Sequence, residues 1–278
     1  MKFPRTLFDD QIDDQFLKLL GSTGISELNL GPKTLEGTFI IHSPHTPVKY
    51  PSYFFEMHSH ILVCRKDCSK EPIASMDVLN SLMRKGNETL IEGKPHFSIR
   101  FIKKSAYEEL LSPDENQIDS WFESLKTYCL LTRFRNFFYS KRVIGKGSFA
   151  KVFLVERKNS GEEFAVKAFS KAAVFNDSIE TKSLQNEIKI MRVVNHERLI
   201  SLKEVYEGEN YIYCVLELFK GQDLLKTIIA KGAQPEPKAL AITLQILQGL
   251  EYLHSKKIIH RDLKPENIVF KTEGEDID

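Results

Sequence analysis

Three polar side chains of different chemistry stand close together near the carboxyl end of the 278-residue sequence. The segment IIHRDLKPENIVF, residues 258–270, contains Asp262, Lys264 and Asn267. A carboxylate can take a proton from a hydroxyl group, an ammonium group can neutralise developing negative charge, and a carboxamide oxygen can bind a hard cation such as Mg²⁺. This segment is therefore the first candidate for a site of chemistry.

A glycine-containing segment earlier in the chain could hold phosphate. In VIGKGSFAKVFLV, residues 143–155, apolar residues flank Gly145 and Gly147, and this pattern predicts a strand, a tight turn and a second strand. Backbone N–H groups can approach a phosphate closely only where no Cβ intervenes. Taken alone, the glycines also fit an ordinary hairpin turn.

A lysine stands in the middle of an apolar strand one hairpin further on. Lys167 lies in EEFAVKAF, where it is either an edge-strand cation or a partly buried charge that needs a counter-ion. The next segment, SLQNEIKIMRVV, has helical periodicity. Its predicted inner face consists of Leu184, Ile188, Met191 and Val194. Glu187 lies beside that face and is the expected partner of Lys167, with Glu180 as the alternative.

These segments occur in the order found in eukaryotic protein kinases, and the chain resembles that family over residues 140–278. IIHRDLKPENIVF keeps the family pattern H-R-D-L-x-x-x-N. The resemblance implies that Asp262 accepts the proton of a substrate hydroxyl, that Lys264 neutralises charge on the transferred group, and that Asn267 binds Mg²⁺. The lysine in D-L-K-P-E-N implies Ser or Thr, rather than Tyr, as the acceptor.

The same resemblance implies a binding site for ATP. The glycine loop departs from the family pattern G-x-G-x-x-G-x-V at its third glycine, where Ala150 stands. YIYCVLELFKGQDLL resembles the hinge of the calmodulin-dependent kinase group. In it Leu216 would close the back of the adenine pocket, and Glu217 and Phe219 would offer backbone groups. Asp223 would bond the ribose, cap the next helix, or do both. The predicted ATP site comprises Ile144, Gly145, Lys146, Gly147, Ser148, Phe149, Ala150, Val152, Ala165, Lys167, Glu187, Leu216, Glu217, Phe219 and Asp223.

The amino-terminal half differs from the rest of the sequence in its pattern of apolar residues. Short apolar or alternating runs predict strands in TLEGTFIIH, SYFFEM, HILVCR and HFSIRFI. An amphipathic helix is predicted in SPDENQIDSWFESLKTYCLL, with Ser112 or Asp114 as its N-cap and an apolar face that runs to Cys129. Strands closed by such a helix, with the lone Trp121 in it, resemble a pleckstrin-homology domain over residues 25–131. We expect an antiparallel sandwich or barrel that serves protein contact or autoinhibition.

Inositol phospholipids and zinc are the two ligands to consider for the amino-terminal half. Pleckstrin-homology domains often bind inositol phospholipids near their first two strands, but HSPHTPVKYPSYFF has Lys49 as its only firm cation. Several charge-assisted contacts are needed to hold a headgroup, so we expect at most a weak phosphoinositide contact. His58, His60, Cys64 and Cys68 stand close in sequence, but no CxxC or HxxxH spacing supports a zinc site.

Composition and charge narrow the remaining function classes. With 39 Lys+Arg against 38 Asp+Glu, the formal net charge is +1, which gives no reason to expect nucleic acid. The basic and aromatic stretch LLTRFRNFFYSKR is typical of a packed junction. No apolar run is long enough for a membrane span, and the four cysteines form no paired framework. We expect a cytoplasmic signalling protein, peripheral at membranes if the amino-terminal domain binds lipid.

The sequence as a whole predicts an α+β chain. A pleckstrin-homology-like domain at residues 25–131 would precede a kinase N-lobe, a hinge and the first C-lobe helices at residues 140–278. EPKALAITLQILQGLEYLHSKK predicts a long buried helix. After Asn267 the sequence reads IVFKTEGEDID, where the family continues towards D-F-G and its main Mg²⁺ ligand. We expect an incomplete catalytic domain that transfers phosphate poorly as written. The alternatives are an inactive nucleotide-binding regulator and a membrane or protein adaptor.

Overall fold

The chain divides into two units. The computed structural model describes residues 7–8, 17–19, 30–42, 51–104, 106–147 and 150–272. The first unit consists of Met1–Phe134 and Glu204–Ile212, and the second consists of Arg135–Lys203 and Tyr213–Asp278. The mixed α+β class predicted from the sequence is confirmed. Residues 204–212, which lie inside the range predicted for the kinase domain, fold with the first unit.

The first unit is built on a largely antiparallel sheet. Its described strands are β1 (Leu17–Leu19), β2 (Leu35–His42), β3 (Ser52–His58), β4 (Ile61–Arg65), β5 (Pro72–Asp77), β6 (Leu82–Lys85), β7 (Thr89–Ile91), β8 (Lys94–Lys103), β9 (Ala106–Ser112) and β10 (Leu130–Leu131). They neighbour one another in the order β1-β5-β4-β3-β2-β9-β8-β6-β10, and β7 pairs with β8. β10 runs parallel to β6.

The sequence pattern predicts β2, β3, β4 and β8 correctly. Among the described strands of this unit it misses β1, β5, β6, β7, β9 and β10. The segment of β9, AYEELLS, is rich in residues that favour a helix in isolation. It is a strand because it pairs with β2 on one side and with β8 on the other. Tertiary pairing therefore overrides local preference at this position.

Helix α1 (Glu115–Leu125) closes the core of the first unit. It begins after Asp114, whose carboxylate accepts a hydrogen bond from a backbone N–H at 3.0 Å. Trp121 is 1% exposed, and its ring meets Phe39 edge-on with 4.8 Å between the centroids. The predicted apolar face runs on to Cys129, but the helix ends before that point because the chain enters β10 and its sheet.

The second unit begins with an antiparallel sheet in which β12 (Ala150–Arg157) lies between β11 (Phe138–Lys146) and β13 (Glu163–Ser170). A single helical turn, α2 (Phe134–Phe137), precedes β11. The later elements are α3 (Lys171–Phe175), α4 (Ser178–Val193), β14 (Leu202–Glu207), β15 (Tyr211–Leu216), α5 (Leu224–Lys231), α6 (Glu236–Ser255) and a 3-10 turn (Pro265–Asn267). The larger part of β14 and the start of β15 belong to the first unit.

Helix α6 is less buried than the sequence predicts. Leu240, Leu244 and Leu247 are 59%, 51% and 53% exposed. Ile242, by contrast, packs with Phe270 in a small apolar core. An apolar pattern that nearly encircles a helix predicts burial on all sides, but the described residues cover only part of this helix. The predicted helix is confirmed at Glu236–Ser255, and the described residues bury it only in part.

Candidate active site

An ion pair joins β13 to α4. Lys167 Nζ lies 2.6 Å from Glu187 Oε1, with 32% and 37% of the two side chains exposed. The alternative partner, Glu180, stands in the first turn of α4. The ring of Phe169 lies 5.0 Å from the same Nζ, within the range of cation–π attraction. These contacts orient the Lys167 ammonium group in a half-buried position.

The β11–β12 hairpin carries the glycines and lies next to the strand of Lys167. Gly145 pairs with Val152 across the hairpin, and the N–H of Gly147 donates to the carbonyl of Ala150 at 2.8 Å. Val152 in turn pairs with Lys167 on the neighbouring strand β13. Sheet register therefore brings the glycine hairpin and the lysine together.

Five further residues of the predicted ATP site lie on or beside this hairpin in the sequence. Ile144 and Lys146 are on β11, and Ile144 is 38% exposed. Ala165 lies on β13, opposite β12. Ser148 and Phe149, at the predicted tip of the turn, lie outside the described residues.

The hinge follows β15, whose last residue is Leu216. The N–H of Glu217 donates to the carbonyl of Ser201 at 3.1 Å, and the Glu217 carboxylate accepts from Ser201 Oγ at 3.0 Å. Glu217 therefore has only its carbonyl oxygen to offer an adenine. No described residue hydrogen-bonds to the backbone of Phe219. Its backbone N–H and carbonyl oxygen are therefore both available to an adenine.

Asp223 caps helix α5. Its carboxylate accepts from the Lys226 N–H at 2.8 Å and also lies 2.7 Å from Lys226 Nζ. The capping interpretation of Asp223 is thus confirmed. A ribose hydroxyl at this position would have to share the carboxylate with the Lys226 ammonium group.

The polar residues of the loop at 260–267 converge on Asp262. Its Oδ1 lies 2.9 Å from Lys264 Nζ. Asn267 Nδ2 donates to Asp262 Oδ2 at 2.9 Å and to the Asp262 carbonyl at 2.8 Å. The hydrogen bonds from Lys264 and then Asn267 lower the pKa of Asp262 below its ordinary value of 3.8. Because the amide nitrogen of Asn267 faces Asp262, its Oδ1 is the atom left for a cation.

Tyr252 is a positioning residue that the sequence does not reveal. Its hydroxyl accepts from the N–H of Asn195 at 3.0 Å and donates to the carbonyl of Val193 at 3.4 Å. Its ring stacks on His196 with 4.9 Å between the centroids. Tyr252 thus ties α6 to the carboxyl end of α4, the helix that carries Glu187. No spacing signal marks it, because it stands in a helix with apolar residues on most sides.

Gly221 is a second residue that sequence reasoning missed. Its N–H donates to the carbonyl of Phe270 at 3.1 Å, and Phe270 donates to the carbonyl of Gln222 at the same distance. A Cβ on Gly221 would lie 2.5 Å from the Phe270 oxygen and still closer to that of Thr272. Only glycine allows the end of the hinge to lie against the chain that follows the 260–267 loop.

A cleft of about 560 Å³ lies beside this loop in the second unit. Its walls include the apolar side chains of Leu199, Ile246 and Leu253 and also Phe219 and Asn267. None of the described glycine-hairpin residues lines it. The cleft therefore shares only part of its wall with the predicted ATP site.

The structure shows the contacts of two of the His and Cys residues considered for a zinc site, His58 and Cys64. His58 Nδ1 lies 2.9 Å from the carbonyl of Gly31. Cys64 is buried, and burial raises the pKa of its thiol to about 12, which opposes the thiolate form that binds metal. In the described ranges, no group of three or more His, Cys, Asp or Glu side chains could hold a metal ion.

No helix in the described part of the chain is long and apolar enough to cross a membrane.

Similar proteins are kinases. The calcium/calmodulin-dependent protein kinase type 1 of Caenorhabditis briggsae is 38% identical over 135 residues, which cover 48% of this chain and 37% of that protein. A probable myosin light chain kinase of Dictyostelium discoideum is 39% identical over 142 residues, which cover 51% of this chain and 40% of that protein. Calcium-dependent protein kinase 4 of Plasmodium falciparum is 36% identical over 135 residues, with 49% and 25% covered.

The matched part of the chain thus spans between 25% and 40% of the length of these relatives. A family model described as the protein kinase domain matches residues 138–277. This range is half of the sequence, and it contains the glycine hairpin, the Lys167–Glu187 pair and the Asp262 cluster. The chain belongs to the protein kinase domain family.

Proposed function

We propose that this chain contributes the catalytic site of an ATP-dependent serine/threonine protein kinase. The cluster of Asp262, Lys264 and Asn267 carries the proposal, because it sets a carboxylate, an ammonium group and a free carboxamide oxygen side by side. The similarity to calcium/calmodulin-dependent and myosin light chain kinases supports Ser or Thr as the acceptor. Within that proposal, each residue has a chemical task that follows from its contacts.

Asp262 would act on the acceptor hydroxyl. Its lowered pKa keeps it ionised at neutral pH, so it can accept a hydrogen bond from the hydroxyl and aim the oxygen at the γ-phosphorus of ATP. The new P–O bond forms as the bond to the β-phosphate oxygen breaks, and the hydroxyl proton passes to Asp262. Lys264, 2.9 Å from that carboxylate, stabilises the charge on the phosphoryl group.

Lys167 would hold the phosphates of the bound nucleotide. Its ammonium group is partly exposed and is oriented by Glu187, so it can turn remaining N–H donors towards phosphate oxygens. The β11–β12 hairpin beside it would place backbone N–H groups over the same phosphates. These groups bind and orient the nucleotide.

The cluster around Asp262 offers Mg²⁺ one protein ligand, the carboxamide oxygen of Asn267. Mg²⁺ usually takes one or two protein oxygens together with phosphate oxygens and water, and Asn267 Oδ1 is available as one such ligand. Bound there, Mg²⁺ would neutralise charge on the phosphates. In the kinase family the Asp of a D-F-G motif supplies the other protein ligand.

For the first unit we propose a pleckstrin-homology-like module that contacts protein in the cytoplasm. Strands β2, β3, β4 and β8 with helix α1 and its buried Trp121 support this proposal. Lys49, the only firm cation in the expected lipid-binding segment, lies outside the described residues. Vesicle pelleting of the whole chain tests the lipid alternative, since binding that grows with phosphoinositide content would favour a membrane role.

The kinase proposal is tested by substrate choice. Protein isolated from its source cells with an antibody to the amino-terminal half is given γ-labelled ATP and matched peptides that differ only in Ser, Thr or Tyr. We expect label on Ser and Thr and a loss of about 100-fold or more in Asp262→Asn. Label on Tyr, or an Asp262→Asn variant of full activity, would refute the proposal. Nucleotide binding without any transfer would favour a regulatory role.

A further inference from the structure

A strand of the kinase-matched region folds with the amino-terminal unit. The family match covers residues 138–277, yet Glu204–Ile212 groups with Met1–Phe134. The residues on both sides of this segment, up to Lys203 and from Tyr213, group with the second unit. The chain therefore leaves the second unit, contributes a strand to the first unit and returns.

The strand is held in the first unit by backbone pairing. β10 pairs in parallel with β14, with Leu130 opposite Val205 and Leu131 opposite Tyr206. On its other side β10 pairs with β6 at Leu82. Val205 and Tyr206 are 0% and 2% exposed. The sheet of the amino-terminal unit thus continues into a strand that the sequence assigns to the kinase domain.

Side chains of the same unit supply partners for the carboxylates of this strand. Lys126 Nζ lies 2.9 Å from Glu204 Oε1, and Glu204 is 1% exposed. The Tyr206 hydroxyl donates to the other oxygen of Glu204 at 2.8 Å. The backbone N–H of Leu7 donates to the Glu207 carboxylate at 3.1 Å. A buried carboxylate is costly unless it is paired and hydrogen-bonded. These donors therefore stabilise the carboxylates of Glu204 and Glu207 in β14.

An aromatic contact completes the arrangement. The ring of Phe134 meets that of Tyr206 edge-on, with 5.5 Å between the centroids, and Phe134 is 8% exposed. Edge-to-face aromatic pairs stabilise the folded state beyond the effect of burying their surface. Backbone pairing, a buried charge pair and ring packing therefore all fix the same short strand.

We propose that residues 126–134 form an intramolecular docking surface for residues 204–207, and that this surface makes the two units unfold as one cooperative structure. Opening the first unit would release β14. Because the residues before Glu204 and after Ile212 belong to the second unit, release of this segment would also disturb the second unit. The amino-terminal module is then a structural part of the kinase domain, and this inference does not depend on catalysis.

The single tryptophan makes cooperative unfolding measurable. Trp121 reports on the first unit alone, and Ile188 on α4 is 0% exposed in the second unit. In the whole chain, Ile188→Ala should lower the melting midpoint seen by Trp121 fluorescence by roughly 5 to 15 °C, together with the midpoint seen by circular dichroism. Lys189→Ala, at an exposed position on the same helix, is the control and should shift neither midpoint.

Independent units would behave differently. If the Trp121 midpoint stays unchanged while circular dichroism shows a separate earlier transition, the proposed cooperativity is overturned. Should Ile188→Ala fail to fold, the milder Ile188→Val, with an expected shift of roughly 1 to 5 °C, gives the same comparison.

The docking surface itself is tested by hydrogen exchange. Lys126→Met should speed exchange of the backbone amides at 204–207 by about tenfold or more, because it leaves Glu204 buried without its cation. Lys126→Arg should restore protection. Lys85→Met removes the exposed pair with Asp119 and should leave those amides unchanged. Equal exchange in Lys126→Met and Lys85→Met would show that the charge pair does not hold the strand.

Discussion

Lys167 and Glu187 form a 2.6 Å ion pair although they belong to different elements, a strand and a helix separated by 20 positions in the sequence. The pair fixes the position of α4 relative to the sheet of the second unit. It also keeps one cation half-buried beside the glycine hairpin. Tyr252 secures the far end of the same helix, so the helix is held at two points.

Replacing Lys167 should weaken nucleotide binding with little change in folding. Lys167→Met removes the cation that would contact phosphate, and we expect ATP affinity to fall by about tenfold or more, measured by calorimetry on the 278-residue chain. The melting midpoint should change little, since the side chain is partly exposed and a paired surface charge contributes little stability. Lys189→Met is the matched control on the exposed side of α4. Unchanged ATP affinity in Lys167→Met would contradict the assigned task.

The pKa of Asp262 should depend mainly on Lys264. In the folded chain this pKa is lowered from 3.8 by the hydrogen bond from Lys264 first and by that from Asn267 second. Lys264→Met should therefore raise the Asp262 pKa towards 3.8, and Asn267→Ala should raise it less. Carboxyl ¹³C shifts followed by NMR through the acid range give both values. An Asp262 pKa that is the same in all three proteins would show that the loop contacts do not persist in solution.

Stability should fall with rising pH because of Glu108. Burial raises the pKa of Glu108 from 4.5 to about 7, so between these values the folded chain keeps a proton that the unfolded chain has released. The free energy of unfolding then decreases from about pH 4.5 to about pH 7 and levels off above. Glu108→Gln should remove this component.

Chemical unfolding of Glu108→Gln at pH 5 and at pH 8 measures the effect. The full shift corresponds to ~3 kcal/mol, and solvent screening of the partly exposed side chain reduces the expected gain at pH 8 to about 1 to 2 kcal/mol. Glu88→Gln, at an exposed position of the same unit, is the control. A Glu108→Gln gain that is equal at both pH values would point to packing instead of titration.

Adding one methyl group at Gly221 should destabilise the second unit. The Cβ of Gly221→Ala would lie 2.5 Å from the Phe270 carbonyl oxygen, so the backbone must shift, at a cost of about 1 to 3 kcal/mol. Gly249→Ala is the matched comparison on α6. Its Cβ would meet Leu199 at an ordinary 3.5 Å, and a helical alanine should be neutral or stabilising. The melting midpoint should therefore fall in Gly221→Ala and stay unchanged or rise in Gly249→Ala, and an equal fall in both variants would rule out the clash.

The parts of the site that the sequence predicts are local. Asp262, Lys264 and Asn267 stand within one short loop, and their mutual hydrogen bonds follow from that spacing. The glycine hairpin is similarly local, because its strands pair with their immediate neighbour in the chain. For such segments, residue order alone determines which groups can meet.

Only the tertiary structure decides which distant segments meet. The choice of Glu187 over Glu180 depends on how α4 packs on the sheet. The exposure of Leu240 depends on what covers α6, and the transfer of residues 204–207 to the first unit depends on pairing with β10. Periodicity shows that a face is apolar but not which surface covers it, and a strand pattern does not show which edge it pairs with. Those outcomes are set by the summed packing and hydrogen-bond free energies of residues far apart in the chain.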